Sequence, residues 1–174
     1  MSDPAEDAEL AAHACRGDVT AFEQLYRRHA ARVHALCLRL AGDPALAEDL
    51  VQESFVKAWH GLPDFRRESA FGTWLHRIAT NVALSALRRR SMLLEDASSD
   101  VEAPAPFETA NAVSEQLDLE RAIACLPPRA RAVLVLHDIE GLQHAEIGER
   151  MNIAEGTSRA LLHQARKALI GRLG

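Results

Sequence analysis

The feature that most constrains the fold is the period of the apolar residues. Nowhere in the 174 residues do β-branched side chains alternate with polar ones over a useful length, whereas Leu, Ala, Phe and Val recur at three- and four-residue spacing. Ala, Leu, Arg and Glu, all good helix formers, dominate the composition. The chain is therefore expected to be all-α.

The punctuation places the helices. Asp18 after Gly17 is an N-cap for a helix through Phe22, Leu25, Tyr26, Val33, Leu36 and Leu40, ending near Gly42. Asp43-Pro44 starts a second, with proline at the first helical position. Its apolar stripe is Leu46, Leu50, Val51, Phe55, Ala58 and Trp59, while Glu48, Asp49, Gln52, Glu53 and Lys57 face away. An irregular segment over 61–69 leads to a third helix from Ala70 to Arg90, with Trp74, Leu75, Ile78, Val82 and Leu87 as its expected buried face. From 91 to 113 the chain carries Pro104, Pro106 and a Ser-Ser pair with few large apolar residues, the composition of a linker. Four further helices are expected at 114–125, 128–138, 144–151 and 155–173, broken by Leu126-Pro127-Pro128 and by Asp138-Ile139-Glu140-Gly141. Two small helical domains result: an acidic tail or short helix over 1–17, a first domain over 18–90, an acidic flexible linker over 91–113 and a second domain over 114–174.

The net charge of −5 argues against a nucleic-acid partner only until it is divided along the chain. Residues 1–20 carry −4 and 91–126 carry −7, but 21–90 carry +4 and 127–174 carry +2. Both proposed domains are basic, and acidic segments mask them in the average. The acidic N-terminus lacks the basic and apolar regions of a secretory signal, and no apolar run approaches the ~18 residues of a membrane span, so a cytoplasmic chain without membrane insertion is expected. Three cysteines, Cys15, Cys37 and Cys125, form no C-x-x-C pair and fit neither a disulfide scaffold nor a zinc ribbon; they are expected to be small buried hydrophobes.

The strongest local signal is the last pair of helices. Ile147, Gly148, Met151 and Ile153 describe a short helix with one position free of a side chain, then a turn of about three residues and a longer helix, which is the pattern of a helix-turn-helix. In that motif the second helix enters the major groove and its first turns reach base edges. Here it offers Glu155, Thr157, Ser158, Arg159, His163, Gln164 and Arg166, with Lys167 and Arg172 for phosphate. A plain helical hairpin with a solvated basic face has the same pattern.

A second signal is the loop with Phe65, Arg66 and Arg67, followed by a helix with Phe71 and Trp74 that ends in Arg88-Arg89-Arg90. Aromatic rings beside arginines suit single-stranded nucleic acid, because each base offers a stacking face and each phosphate a charge. A core tryptophan and a dipole-compensating arginine run account for the same letters. The third signal is the polar face Asp49, Gln52, Glu53, which by itself is a solvated surface. No constellation supports catalysis. His137-Asp138 has no later Asp to complete a phosphohydrolase site, and His144-Ala145-Glu146 has no P-C-x-x-C after it. H-E-x-x-H, G-x-S-x-G and phosphate-binding glycine loops are absent from the sequence, no cofactor or metal is expected, and the eight histidines read as surface or capping residues.

The wording and order of these blocks resemble a known family. Residues 21–90, through Ala21-Phe22-Glu23-Gln24-Leu25-Tyr26, Ala47 to Trp59 and Phe71 to Asn81, resemble region 2 of the extracytoplasmic-function (ECF) sigma factors of the sigma-70 family. Residues 118–172, through Leu126-Pro127-Pro128-Arg129, Glu146 to Met151 and Glu155-Gly156-Thr157, resemble region 4. The resemblance implies a non-enzymatic promoter-specificity subunit of bacterial RNA polymerase. It implies that Asp49, Gln52 and Glu53 meet the polymerase β′ clamp helices, with the β flap as a further contact. Phe65, Arg66 and Arg67 would fall in the loop that captures a base of the melted −10 element, and Trp74, Arg77, Asn81 and Arg88 on the helix beside that strand. Thr157, Ser158, Arg159, His163, Gln164 and Arg166 would lie on the helix that reads the −35 duplex. An anti-sigma factor is the expected inhibitor.

The chain departs from the family at four positions. Ser158 stands where valine is common and would need a backbone partner for its hydroxyl; Leu161 and Gln164 replace frequent arginines; Ser85 replaces an Asp. A homodimeric helix-turn-helix regulator acting without polymerase is the alternative, but the sequence offers no heptad seam for a dimer. A pure adaptor would leave the arginine clusters without a role.

Overall fold

The computed structural model describes residues 4–66, 68–96 and 115–173, with 91–96, 115–118 and 173 described by their backbone alone. Among them there is no strand. The helices are α1 (Pro4–Ala14), α2 (Val19–Ala41), α3 (Pro44–Gly61), α4 (Phe71–Asp96), α5 (Glu115–Ala124), α6 (Pro128–Leu134), α7 (His144–Met151) and α8 (Glu155–Leu173). A 3-10 turn over Leu62–Asp64 precedes α4, and a π-helical turn over Val135–Ile139 follows α6. The helices form two compact units, one from residues 1–38 and 44–83, the other from 39–43 and 84–174.

In the first unit the predicted cap is made: the Ala21 amide donates to Oδ1 of Asp18 at 3.1 Å, which satisfies one of the orphan donors of the first turn of α2. Leu25, Val33, Leu36, Leu50, Val51, Phe55, Leu62, Phe71, Leu75 and Val82 are buried and form its core. Each such burial contributes roughly 1.5–3 kcal/mol, and together they outweigh any propensity term. Trp74, Ile78 and Leu87 are only half-buried: Trp74 and Ile78 lie on one edge of the apolar stripe of α4 and Leu87 on the opposite edge. Residues 4–14 form a docked helix, not a tail, with Asp7, Ala11 and Ala14 buried. Helix α4 runs on to Asp96, six residues beyond its expected end, so the helix takes in the start of the expected linker. The rest of that linker lies outside the described residues.

The second unit is organised around α8, which packs on α5, α6 and α7. Its core comprises Val133, Val135, Leu136, Ile147, Leu162 and Ala165. Within it the Arg131 guanidinium is buried against four backbone carbonyls: those of Ala124 at 2.7 Å, Leu126 at 3.3 Å, Leu40 at 3.2 Å and Ala41 at 2.6 Å. Ala124 and Ala41 end α5 and α2, whose last carbonyls are orphan acceptors at the negative end of a helix dipole. One cation thus caps two helix termini. Burial pulls the Arg131 guanidinium down to about 10, still well charged at neutral pH. Gly42, at φ +65°, leaves the room: a Cβ there would come within 2.3 Å of the guanidinium.

The cysteines differ from one another. Cys37 is buried and its thiol is pushed up to about 12, whereas Cys15 and Cys125 are half-buried. Among the described residues no cluster of His, Cys, Asp and Glu is placed to hold a metal ion, and no helix is long and apolar enough to cross a membrane.

Candidate nucleic-acid interface

The helix-turn-helix in the second unit is closed by backbone geometry. Helix α7 begins at His144, and Glu146 accepts a hydrogen bond from the Gln143 amide at 3.0 Å. It ends at Asn152 in the left-handed conformation, φ 54°, a position that asparagine tolerates. The Ile153 amide returns to the Gly148 carbonyl at 2.9 Å. A Cβ on Gly148 would lie 2.8 Å from the Ile153 carbonyl oxygen, so the glycine is what lets the turn fold back onto α7.

On α8, Thr157, Arg159, His163, Gln164 and Arg166 are exposed. Ser158 is not: its side chain is 0% exposed and its hydroxyl bonds Nδ1 of His144 at 2.9 Å. Ser158 therefore faces into the motif, and its partner is an imidazole of α7, not the backbone. Two of the arginines have acidic partners. Arg159 pairs with Glu155 one turn earlier, and Arg166 donates two bonds to Asp138, at 3.0 and 2.6 Å. The π-helical turn places Asp138 there, together with His137, whose ring stacks on His144 with centroids 4.4 Å apart. An inserted residue of this kind re-aims the side chains that follow it. Asp138 is held below the usual carboxylate range by its bonds from Arg166 and, less, from His137.

In the first unit three rings of the second signal meet. Phe65 lies 4.8 Å from Trp74 and 6.0 Å from Phe71, and Phe71 lies 5.7 Å from Trp74. Phe71 is buried, whereas Phe65 and Trp74 are half-buried and so keep part of their faces open. Arg66 is exposed beside them; Arg67 lies outside the described residues. Trp74, Arg77, Asn81, Ser85 and Arg88 recur at three- and four-residue steps along one face of α4, and Arg77, Asn81 and Arg88 are exposed. Arg88 donates to the hydroxyl of Ser85 at 3.2 Å.

On α3, Asp49 and Gln52 are exposed and Glu53, half-exposed, pairs with Lys57 at 2.8 Å. Val56, 54% exposed, continues the same face, and across α2 the exposed Val19 and Tyr26 add apolar surface. In sequence Tyr26 fits the buried stripe of α2, and only the packing puts it at the edge, its ring 4.6 Å from that of Phe55.

The comparisons with known proteins follow the two units. Residues 25–92 match the model of sigma-70 region 2, and 116–169 match that of sigma-70 region 4. The chain is 36% identical over 172 residues to the ECF RNA polymerase sigma factor SigM of Mycobacterium tuberculosis, covering 97% of this chain and 85% of that protein. It is 38% identical over 156 residues to the sigma factor SigE of Mycolicibacterium smegmatis, covering 85% of this chain but only 60% of that longer protein. Among solved structures it resembles the sigma factor RpoE in complex with the anti-sigma factor NepR from Bartonella quintana, with a TM-score of 0.60 and 25% identity over 87% of this chain and 96% of that one. CnrH in complex with the cytosolic domain of CnrY gives a TM-score of 0.54 at 27% identity, covering 95% and 96%. With both regions in order and a relative matched over most of its length, the chain belongs to the ECF RNA polymerase sigma factors.

Proposed function

We propose that this sigma factor divides promoter recognition between its two units. The first captures the unpaired −10 strand with Phe65, Trp74, Arg66, Arg77 and Asn81; the second reads the −35 duplex with Thr157, Arg159, His163 and Gln164. The observation that carries this is the contrast between the two surfaces. An open pair of rings flanked by exposed arginines and an asparagine suits splayed bases, and an exposed helix face behind a closed turn suits a major groove. Arg88, farther along α4, is assigned to the same strand, as is Arg67, which lies outside the described residues. Arg166 acts mainly by steadying α8 through Asp138, and Ser158 by seating α8 on His144.

Bond making belongs to the polymerase, so the role is non-enzymatic and needs no metal or cofactor from this chain. Asp49, Gln52, Glu53 and Val56 present a mixed acidic and apolar face for core polymerase at its β′ clamp helices, and the β flap meets the second unit. The work takes place in the cytoplasm, where core polymerase is found. An anti-sigma factor holds the chain inactive, in keeping with the anti-sigma partner named for one solved relative.

The test is initiation by core polymerase with and without the purified chain on a promoter library. Specific start sites that depend on the chain are expected. Duplex binding without any directed initiation would favour a stand-alone helix-turn-helix regulator.

A further inference from the structure

The N-terminal segment, α1 and the residue after it, reaches both ends of the loop that carries Phe65, one through His29 of α2 and the other directly. At one end Asp7, only 4% exposed, lies between the Arg28 guanidinium and the His29 imidazole of α2: its Oδ1 accepts from Arg28 at 2.8 Å and its Oδ2 lies 2.8 Å from Nε2 of His29. Glu6 takes a further bond from Arg28. A carboxylate this buried costs several kcal/mol unless it is fully paired, and such pairs specify geometry more than they add stability. What Asp7 specifies is the His29 ring. That ring, 7% exposed, packs on Phe71 with centroids 5.4 Å apart, and its Cε1 occupies the space over Gly72, where a Cβ would come within 3.0 Å. The glycine of the Phe-Gly-Thr-Trp run is thus the position that admits His29. Phe71 in turn backs Phe65 and Trp74.

At the other end, Cys15, just past α1, donates its thiol hydrogen to the Leu62 carbonyl at 3.1 Å. The same carbonyl accepts the Phe65 amide at 3.0 Å, closing the 3-10 turn from which Phe65 projects. The N-terminal segment therefore holds the turn before Phe65 through Cys15, just past α1, and bears on the first turn of α4 after it through Asp7 of α1 and His29 of α2.

We infer, resting on the strand-capture reading above, that α1 braces the −10 capture loop, with Asp7 and His29 as positioning residues for the base that Phe65 and Trp74 receive. Neither touches DNA. They act by fixing Phe71, and through it the spacing of the two open rings.

The experiment measures binding of the full chain to a single-stranded −10 oligonucleotide and to a one-base mismatch of it, with −35 duplex binding as the internal control. Asp7→Leu is expected to weaken matched-strand binding about ten-fold, the scale of one lost stacking contact, and to shrink the matched-to-mismatched ratio. Asp7→Asn, which keeps an acceptor for His29, should restore most of that ratio, and the −35 affinity should not move in either. If Asp7→Leu melts the first unit, His29→Gln decides: it keeps a donor for Asp7, removes the ring from Phe71, and should lose discrimination in a folded chain. A lower melting temperature with both affinity and ratio intact at 15 °C, roughly ten degrees below the usual assay temperature, would reduce α1 to a stabiliser and overturn the inference. Phe65→Ala separates the two levels. If it weakens capture while Asp7→Leu and His29→Gln do not, the brace alone falls; if Phe65→Ala is without effect, the strand-capture reading falls and takes the brace with it.

Discussion

The hydroxyl of Ser158, buried on the recognition helix, and Nδ1 of His144, the half-buried first residue of the helix before it, lie 2.9 Å apart inside the helix-turn-helix. A polar bond here replaces the apolar contact that a valine would make, and it makes the seating of α8 depend on the charge of an imidazole. The His144 imidazole is held below its ordinary value, first by lost hydration and then by the charges of His137 and Arg159, with Arg166 adding and Glu155 opposing. Because the folded value is the lower one, the unfolded chain binds more protons in the window below the unfolded value of about 6.5. Stability of the second unit should therefore be at its plateau above that pH and fall as pH drops through it. Thermal melting of the full chain between pH 7.5 and 5.5, about one unit on either side of the free imidazole, should show this loss, and His144→Leu with Ser158→Val should flatten it. An unchanged slope in the double variant would assign the pH dependence elsewhere.

Asp138 engages the exposed Arg166 guanidinium by two bonds. Asp138→Ala should release that guanidinium, raise affinity for a scrambled duplex at low salt, and steepen the slope of log K against log salt by up to about 0.9, the value of one added phosphate contact. Anisotropy titrations at four or so salt concentrations read the slope directly. A slope that does not change would mean that Arg166 stays off the backbone for another reason.

Gly148 has no room for a methyl group, with the Ile153 carbonyl 2.8 Å from where a Cβ would sit. Gly148→Ala should cost about 1–3 kcal/mol in the second unit, the usual range for overpacking, and weaken −35 binding while leaving single-stranded −10 binding intact. Denaturant unfolding together with the two binding assays checks both halves of that statement.

Arg131 fills a site that no apolar residue reproduces, because its four partners are all carbonyls. Arg131→Leu removes the donors with a shorter apolar side chain and leaves buried acceptors unpaired, at a cost of roughly 2–4 kcal/mol. Arg131→Lys should recover little, since a point donor cannot span the carbonyls of two helix ends. Melting temperatures of the two variants should lie close together and well below that of the parent chain.

Local pattern was enough for much of this. The caps Asp18 and Pro44 and the spacing of Leu25, Leu36, Leu50 and Phe55 put α2 and α3 in place, and Gly148 marked the turn before α8. What local pattern cannot carry is pairing between side chains far apart in the chain. Asp7 finds His29 twenty-two residues on, Asp138 finds Arg166 twenty-eight residues on, and Arg131 reaches carbonyls about ninety residues back. So the first 17 residues read equally as an acidic tail or a short helix until Asp7 is seen buried, and the pairing of Arg166 with Asp138 leaves no local trace. Likewise nothing in the neighbouring sequence marks His29 as buried or His137 as stacked on His144, and all three read as surface or capping residues. The π-helical turn was invisible for a related reason, since Val135–Ile139 has an ordinary helical composition and only its hydrogen bonds, such as the Glu140 amide to the Val135 carbonyl at 3.0 Å, set it apart.

The division of labour between the two units is tested most directly by two single variants in the same promoter-opening assay with core polymerase. Asn81→Ala should leave −35 duplex affinity unchanged and reduce strand opening, while Arg159→Ala should lower duplex affinity about ten-fold or more, the scale of one base-reading contact, and leave capture of a pre-melted −10 strand unchanged. Equal loss of both steps in both variants would contradict the account.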